Sequence, residues 1–380
     1  MKTYKSFNPL VVKKTVGLIG ILTVLIVIVM GCKKEHKVSG PDIDQPRKSP
    51  NLSLESTACG CWIAATNQAN NQDEGYDPTS TTWGTPKWSF APTTARGYSS
   101  TAEIPLWGGP TDVKLRNVTT FTGTTQAIAT AGGRLATIAA YPSGNKIWTM
   151  GFSTDSPQVE IHSVELLPNG NVALASAGRG WVRVYSSSQP TPNQGHFAEF
   201  SLGSAHAVLW DPSISRLWVI GWLPINSLYY WDPLNQVITA LQITGTAANP
   251  VLTEDTNYRT VLPGKYGHEI SPYYYDNDKL WVAVQVDNAD NNKGVYIFNK
   301  STKTFTPVSG TANRNFVKGV GNQPSGTIVE IRPQNAGGAG ESSWQNDTVN
   351  FYNAAGEWQY NRIKTGAKFY KIRVLDPDYQ

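Results

Sequence analysis

The sequence predicts an all-β protein folded as a six-bladed β-propeller. One β-unit recurs along most of the 380-residue chain, and a strand-like segment at the C-terminus has no partner after it. The composition agrees, because 34 Gly and 24 Pro supply many turns and long Ala, Leu, Glu and Lys runs are absent. Seven blades are the alternative if residues 89–109 contain a further unit, and a β-sandwich is the main rival fold.

Residues 1–31 resemble the signal peptide of a bacterial lipoprotein. Lysines open the chain, residues 15–30 are almost entirely apolar, and Gly31 precedes Cys32. Cleavage there would leave Cys32 as a lipid-bearing N-terminus, although residues 29–32 lack the usual Leu and the usual Ala or Ser. An uncleaved membrane helix is the alternative. Both interpretations predict a domain of the cell envelope that is held to a membrane, on its periplasmic face or at the cell surface.

Residues 32–56 predict a flexible tether, because they are rich in Pro, Ser, Asp and Asn and contain few apolar side chains to bury. The propeller domain is then expected over residues 57–380. The formal charge is +4, with much of the excess in the N-terminal segment, so the globular part is nearly neutral. This balance lacks the basic footprint of a nucleic-acid-binding protein. Cys59 and Cys61 are interpreted as small packing residues, since a disulfide across one residue would be strained.

Each repeated unit is predicted to contain four antiparallel strands. A short opening strand leads into a stronger apolar strand, and the opening segments are 111–115, 162–167, 206–210, 268–270 and 318–320. The next apolar strand ends in an aromatic residue followed by turn residues, at Tyr76, Tyr141, Tyr185, Trp231, Phe298 and Tyr352. Short outer strands are expected after most of these turns, at 146–150, 236–241, 304–308 and 357–360. Four strands per unit, repeated every 45 to 65 residues or so, indicate propeller blades of about the usual size.

The first unit, which starts near Cys59, lacks an opening strand. The C-terminal segment 369–375 matches the opening-strand pattern and has no unit after it. Pairing of this last strand into the first blade would close the ring and remove its open edges.

Three segments with histidines carry a resemblance to a known family. The runs 162–171 (HSVELLPNGN), 205–211 (AHAVLWD) and 267–270 (GHEI) resemble a propeller family of exported bacterial proteins known as domain of unknown function 6528. The resemblance extends from about Cys59 to the C-terminus and implies a propeller fold, with no established activity. Glu269 stands where the Gly-His-Asp pattern of the family has Asp.

Aligning the opening strands by their apolar positions places one residue of every unit at the same level, and we call this set the mouth ring: Thr111, His162, His206, His268, Lys318 and Tyr370. The innermost strand of each propeller blade runs beside the central axis, so equivalent positions surround its mouth. Three of the five histidines of the chain belong to this ring. The ring is therefore the predicted functional site.

Two chemistries fit this set of side chains. His162, His206 and His268 could bind a divalent metal such as Zn²⁺ or Mn²⁺, with a position left for water or substrate. Without metal, a histidine or Tyr370 would abstract a proton while Lys318 stabilised the developing negative charge. The second chemistry is similar to that of propeller polysaccharide lyases, which act on uronic acid sugars. We therefore expect a small or glycan-derived ligand at the axial mouth, with metal-assisted or His/Tyr-assisted lyase chemistry as an extension.

The alternative is a non-enzymatic scaffold that binds another protein. In WD-repeat propellers a similar histidine is structural, and the mouth-ring histidines would then only support their own blades.

Two further features of the sequence are weaker candidates for a binding site. Residues 287–292 resemble part of a Ca²⁺ loop but lack its twelfth-position carboxylate, which favours a solvated hairpin. Several aromatic residues could stack on sugar rings or pack between blades: Trp83, Trp88, Trp107, Tyr273, Tyr274, Tyr275 and Trp344.

Overall fold

The computed structural model describes residues 61–152, 159–187, 196–224, 236–274, 276–286 and 293–379, which form six four-stranded antiparallel sheets. In chain order the strands of blade 1 are β1 (Ile63–Asn67), β2 (Gln72–Tyr76) and β3 (Trp88–Phe90), and those of blade 2 are β4 (Pro110–Asn117), β5 (Gln126–Gly132), β6 (Leu135–Ala140) and β7 (Lys146–Gly151). Blade 3 contains β8 (Ile161–Leu166), β9 (Val172–Ser176), β10 (Trp181–Tyr185) and β11 (Phe197–Ser201). Blade 4 contains β12 (Gly203–Asp211), β13 (Arg216–Trp222), β14 (Gln236–Gly245) and β15 (Pro250–Val261).

Blade 5 contains β16 (Lys265–Pro272), β17 (Lys279–Gln285), β18 (Val295–Asn299) and β19 (Thr304–Pro307), and blade 6 contains β20 (Gly319–Asn322), β21 (Ile328–Ile331), β22 (Thr348–Tyr352) and β23 (Trp358–Ile363). The last strand, β24 (Phe369–Val374), is the innermost strand of blade 1. The helical segments of the described residues are short 3₁₀ turns, at Thr94–Arg96, Ile104–Leu106, Gly310–Ala312 and Glu341–Ser343.

The C-terminal strand closes the ring as predicted. β24 pairs antiparallel with β1, so that Ile63 lies opposite Val374. The innermost strands contact one another in the order β4, β8, β12, β16, β20 and β24, and β24 contacts β4 again. The stretch 89–109 holds the end of β3 and two 3₁₀ turns, so the six-bladed prediction is confirmed.

The core lies between the blades. The second strand of a blade is covered on both faces, as in β9, where every residue is buried, whereas the outer strand β11 alternates with solvent. Six apolar clusters result, one at each contact between adjacent blades. Burial of this apolar surface is the main force that joins one blade to the next.

Blade 4 differs from its predicted strand order. The sequence assigned 236–241 to an outermost strand, but β14 (Gln236–Gly245) is the third strand and β15 is the fourth. β15 contains Thr, Asn and Asp at alternating exposed positions, and these residue types are typical of turns. Pairing along β14 stabilises this polar segment as a strand, which its local composition does not indicate.

The N-terminal predictions fall on residues that the structure does not describe. The signal peptide, Cys32, the tether and Cys59 all lie outside the described residues. Cys61 is disulfide-bonded, so its interpretation as an unbonded packing residue is wrong. In residues 61–379, where described, no helix has the length and hydrophobicity needed to cross a membrane.

Candidate functional site

The mouth ring lies where the innermost strands begin, and the structure brings five of its six side chains together. The imidazole ring of His206 lies between those of His162 and His268, with centroid distances of 4.4 Å and 4.8 Å. At one end of this row the hydroxyl of Tyr370 is 3.1 Å from Nδ1 of His162, and at the other end Nζ of Lys318 is 3.1 Å from Nε2 of His268. Residues separated by up to 208 positions thus form one continuous polar row at the axis.

Thr111 is placed at the same level but has a different role. Its hydroxyl is within hydrogen-bond distance of the carbonyl oxygens of Ala131 in blade 2 and Ile161 in blade 3. This hydroxyl therefore joins two blades through their backbones and does not extend the row of side chains.

A β-bulge accounts for the common orientation of the mouth ring. In β4 and β8 the pairing register skips Thr111 and His162, because the residues on either side of each pair with consecutive partner residues. The same shift falls at His268 in β16, and the register also shifts across residues 204–206 of β12 and across residues 370–371 of β24, which include His206 and Tyr370. A bulge leaves one residue unpaired and changes the direction of its side chain. The repeated bulge thus directs the ring residues away from the sheets and toward the axis.

Four of the mouth-ring residues are preceded by backbone in the left-handed region. The residues two positions before Thr111, His206, His268 and Lys318 have positive φ, at Gly109 (52°), Ser204 (49°), Tyr266 (46°) and Phe316 (67°). For residues other than glycine this conformation is unfavourable by roughly 1 kcal/mol or more, and it persists only where the surrounding structure enforces it. Strained backbone repeated at one level of the ring is typical of a functional site.

The hydrogen bonds define which ring nitrogens remain available. Nδ1 of His206 is 2.7 Å from the carbonyl oxygen of Ser204, so a neutral His206 donates there and keeps the lone pair of Nε2. Lys318 donates to Nε2 of His268, and Nδ1 of His268 is buried with no hydrogen-bond partner in the part of the chain that the structure describes. Unsatisfied buried polar atoms are uncommon in proteins, which makes His268 a candidate contact for a bound molecule.

The charge state of the mouth follows from its burial. Burial lowers the pKa of His162, and it holds the pKa of His206 and His268 well below the usual value, with further lowering by neighbouring imidazoles and by Lys318. Burial and the nearby Lys371 lower the pKa of Lys318 to about 8. At neutral pH the mouth therefore presents three neutral imidazoles and one ammonium group, and the exposed carboxylate of Glu160 lies 3.5 Å from Nε2 of His162 at the end of the row away from Lys318.

Beneath the ring lies a set of buried charges, which we call the axial charge cluster: Asp112, Lys114, Arg116, Glu165, Glu269, Lys371 and Arg373. Arg116 binds Glu165 through two hydrogen bonds of 2.8 Å and 2.9 Å, while Arg373 binds both Asp112 and Glu269. Four cations against three carboxylates leave the cluster with one excess positive charge. The axis below the mouth is therefore cationic.

This cluster was not among the predicted sites, although the pattern of charged residues in the sequence indicates it. Charged residues alternate with apolar ones in the innermost strands, at Asp112, Lys114 and Arg116 and again at Lys371 and Arg373. On a strand this period of two places the charges on one face. In an innermost propeller strand, such a face borders the channel.

The metal interpretation of the histidines stays a prediction. Within the residues that the structure describes, no group of three or more His, Cys, Asp or Glu side chains is arranged to hold a metal ion. Zinc ligation needs ring nitrogens about 2.0–2.1 Å from one centre, whereas one nitrogen of each of His206 and His268 already takes part in another hydrogen bond, Nδ1 in His206 and Nε2 in His268. Residues 287–292, the partial Ca²⁺ loop, lie outside the described residues.

A groove of about 650 Å³ lies elsewhere, between blades 4 and 5. Its lining includes the turns that follow the innermost strands β12 and β16, and the mouth ring lies where these strands begin. Its Lys300 pairs with Asp211 at 2.6 Å, and the carboxylate of Asp278 accepts hydrogen bonds from Asn299 and Ser301. Because these polar groups are already bonded within the chain, the groove is a weaker candidate site than the mouth.

Most aromatic residues considered for sugar stacking pack inside the protein. Trp83 is buried and stacks on Tyr76, and Trp88 and Tyr274 are buried as well. Trp107 donates its indole N–H to the carbonyl oxygen of Asn71, and Tyr273 stacks on Trp281. Trp344 is 39% exposed, in the loop between β21 and β22, and Tyr275 lies outside the described residues. Interblade packing is thus the role of most of this set.

One solved structure supports the fold. A protein of unknown function from Bacteroides caccae has a TM-score of 0.50 and 11% identity, covering 82% of this chain and 98% of that one, and such low identity supports a shared fold alone. A hydrazine synthase from Kuenenia stuttgartiensis (TM-score 0.42, 13% identity, 69% and 65% covered) and a functionally unknown protein from Desulfotomaculum acetoxidans DSM 771 (0.44, 9%, 79% and 78%) are less similar.

The remaining comparisons concern the sequence. Comparison with curated proteins gives no match. The sequence profile of a family of unknown function, DUF6528, matches residues 84–378, which is well over half of the chain. This chain therefore belongs to the family of unknown function DUF6528.

Proposed function

We propose that the mouth of the propeller binds a small anionic ligand, and that a carboxylate-bearing sugar such as a uronic acid is the class that fits best. The observation that carries this proposal is Lys318. Its side chain is buried, with 8% exposure, and its ammonium group contacts only an imidazole nitrogen among the described residues. A buried cation without a carboxylate partner is costly, and an anion from a ligand would relieve that cost.

The surroundings of Lys318 support an anion over a cation. The three imidazoles are neutral at pH 7, and the axial charge cluster below them has an excess of positive charge. Nδ1 of His268 and Nε2 of His206 are free to contact hydroxyl or carboxylate groups of a sugar. The combination of one ammonium with several neutral polar contacts suits a molecule that has one acidic group and several hydroxyls.

Calorimetric titration with galacturonate, and with neutral galactose as the matched ligand, tests this proposal. We expect binding of galacturonate only, with an affinity that falls at least about tenfold in Lys318→Met. Lys368→Met is the control, because that side chain is 45% exposed and pairs with Glu341 at the surface. Equal binding of both sugars, or an unchanged affinity in Lys318→Met, would contradict the proposal.

Lyase chemistry is an extension of the same proposal. In an oligomer of galacturonate, Nε2 of His206 would accept the proton from C5, the carbon that carries the carboxylate, while Lys318 stabilised the negative charge that develops on that carboxylate. The bond from C4 to the oxygen of the neighbouring sugar would then break, leaving a double bond between C4 and C5. The Tyr370 hydroxyl next to His162, which burial keeps protonated by raising its pKa, would donate its proton to the leaving oxygen. Appearance of an unsaturated product by ultraviolet absorbance, and its loss in His206→Gln, tests the extension; binding without product would leave a ligand-binding protein.

The scaffold alternative rests on the blade rims. Val251 and Val261 on β15, and Trp358 and Ile363 on β23, are each about half exposed, from 47% to 53%. Exposed apolar side chains on outer strands are suited to protein contacts. The scaffold hypothesis is supported if the mouth binds no anion and if substitution of these rim residues by polar ones abolishes binding to an envelope protein.

We further propose that a lipid on Cys32 holds the domain to a membrane of the cell envelope. The support is the charged start, the apolar stretch and the Gly31-Cys32 junction of the sequence. Labelled palmitate should be incorporated into the wild-type protein and not into Cys32→Ala. Incorporation into both proteins, or into neither, would contradict the lipid anchor.

A further inference from the structure

We infer that Lys371 is the positioning residue of the mouth, because its ammonium group fixes the separation of the two strands that carry His162 and His206. This inference rests on the proposed ligand-binding function and assigns a role to a residue outside the ring. Lys371 is 1% exposed and lies on the closing strand β24, one residue after Tyr370. It is therefore a structural element that cannot itself be reached from solvent.

The contacts of Lys371 join three blades to the closing strand. Its Nζ donates to the backbone carbonyl oxygens of His162 in blade 3 and His206 in blade 4, at 3.2 Å each. The same nitrogen is 3.4 Å from a carboxylate oxygen of Glu269 in blade 5. Because an ammonium group has three donors in a tetrahedral arrangement, these contacts set the distance between the two histidine backbones.

Lys114 repeats this arrangement one layer deeper in the channel. Its Nζ donates to the carbonyl oxygens of Val164 and Val208, at 2.6 Å and 3.1 Å. These residues follow His162 and His206 by two positions on the same strands, β8 and β12. Two buried lysines on the axis therefore hold the same pair of strands, and only the upper one binds the residues whose imidazoles form the mouth.

The closing strand also orients the ring of His162. The Tyr370 hydroxyl contacts Nδ1 of His162, while the neighbouring Lys371 binds the backbone of the same residue. Backbone and side chain of His162 are thus both fixed by β24. The charge of Lys371 also helps keep the mouth imidazoles neutral, since it lowers the pKa of His162, His206 and His268. Burial is the main cause of these lowered pKa values, and Lys371 adds to it while it fixes the position of His162.

Lys371→Met tests the inference, with Lys114→Met as the matched control. Both lysines are buried, both bind two backbone carbonyls, and each shares its carboxylate partner with Arg373: Glu269 for Lys371 and Asp112 for Lys114. General destabilisation should therefore be similar in the two variants. The readouts are galacturonate affinity by calorimetry and the histidine ring resonances of the ligand-free protein by NMR.

We expect Lys371→Met to weaken galacturonate binding at least about tenfold and to shift the ring resonances of His162 and His206. Lys371→Arg should restore much of the affinity, because a guanidinium can bind both carbonyls. Lys114→Met removes the same charge one layer deeper, so it should weaken binding clearly less than Lys371→Met and leave the ring resonances of His162 and His206 in place. If Lys371→Met does not fold, Lys371→Gln, which keeps an amide donor, is measured in its place.

Two results would overturn the inference: equal loss of affinity in the Lys371 and Lys114 variants, or unchanged histidine resonances in a folded Lys371 variant. Absence of galacturonate binding in the wild-type protein would instead remove the proposed function. The resonances of the ligand-free protein would still decide whether Lys371 positions the histidines. The two failures are thus distinguishable.

Discussion

Lys318 and the three histidines reach the axis because each occupies or adjoins a bulge where the register of an innermost strand shifts. Lys318 adjoins such a shift because it and the next residue, Gly319, share one partner. Gly319 is paired with Ile331, and the backbone N–H of Lys318 donates to the carbonyl oxygen of the same Ile331. A regular strand would place these side chains in the interblade packing, where a buried ammonium would be strongly unfavourable. The bulge therefore makes a lysine tolerable at this level of the ring.

The pKa of Lys318 leads to a prediction about pH. An anionic ligand favours the protonated amine, so the affinity for galacturonate should be constant below pH 8 and fall as the pH rises through about 8. The mouth imidazoles do not contribute to this loss, since their pKa values lie below the usual value. Calorimetry at a series of pH values measures the effect.

The Lys318→Met variant is the control for that titration. Its weak residual binding should show no decrease around pH 8, because the titrating amine is absent. A wild-type affinity that does not change between about pH 7 and 10 would mean that the protonated form of Lys318 does not hold the ligand.

For single residues, the sequence predicted which side chains lie at the level of the mouth ring, but it did not predict the contacts that they make. Alignment of apolar positions was sufficient to place His162, His206, His268, Lys318 and Tyr370 at one level, because the blades repeat. It could not separate Thr111 from the others, since the hydrogen bonds of Thr111 depend on distances between blades. For the same reason, the observation that no carboxylate of the described residues pairs with Lys318 required three dimensions.

Among the elements, the closing strand β24 connects more blades than its pairing with β1 alone would suggest. Arg373 binds Asp112 of blade 2 and Glu269 of blade 5, and Lys371 binds the backbones of blades 3 and 4. Its length and pairing were predictable from the opening-strand pattern. Its role at the axis was not, because that pattern does not specify which charges lie opposite each other across the channel.

Replacement of Arg373 by Met should destabilise the protein strongly. Asp112 and Glu269 are fully buried, and loss of the guanidinium leaves each carboxylate with lysine as its cationic partner among the described residues. Removal of one partner from a buried ion pair typically costs about 3–5 kcal/mol. Urea unfolding followed by tryptophan fluorescence should therefore show a clearly lower midpoint than for the wild-type protein.

A surface ion pair near the same strand provides the comparison. Lys368 pairs with Glu341, and both side chains are largely exposed, so Lys368→Met should change the stability by less than about 1 kcal/mol. Similar midpoints for the Arg373 and Lys368 variants would mean that the axial charge cluster does not hold the closing strand.

Over the whole molecule, closure of the ring and formation of the mouth are linked, because both depend on the C-terminal segment that contains β24. The apolar cluster between blades 6 and 1 contains Phe369 and Ile372, and the mouth contains Tyr370. In a closed propeller every blade has two neighbours, so loss of one innermost strand exposes the edge of β1 and weakens two interblade contacts. Folding and ligand binding should therefore fail together when β24 is missing.

Truncation after residue 365, followed by addition of a peptide comprising 366–380, tests this link. The truncated chain should unfold at a lower temperature and bind no galacturonate, and the wild-type peptide should restore both properties as it completes blade 1. A peptide with Lys371→Met should restore the unfolding temperature in part, through Phe369, Ile372 and Arg373, but leave the affinity low. Full ligand binding by the truncated chain alone would show that the mouth forms without its closing strand, and would place the ligand site elsewhere on the propeller.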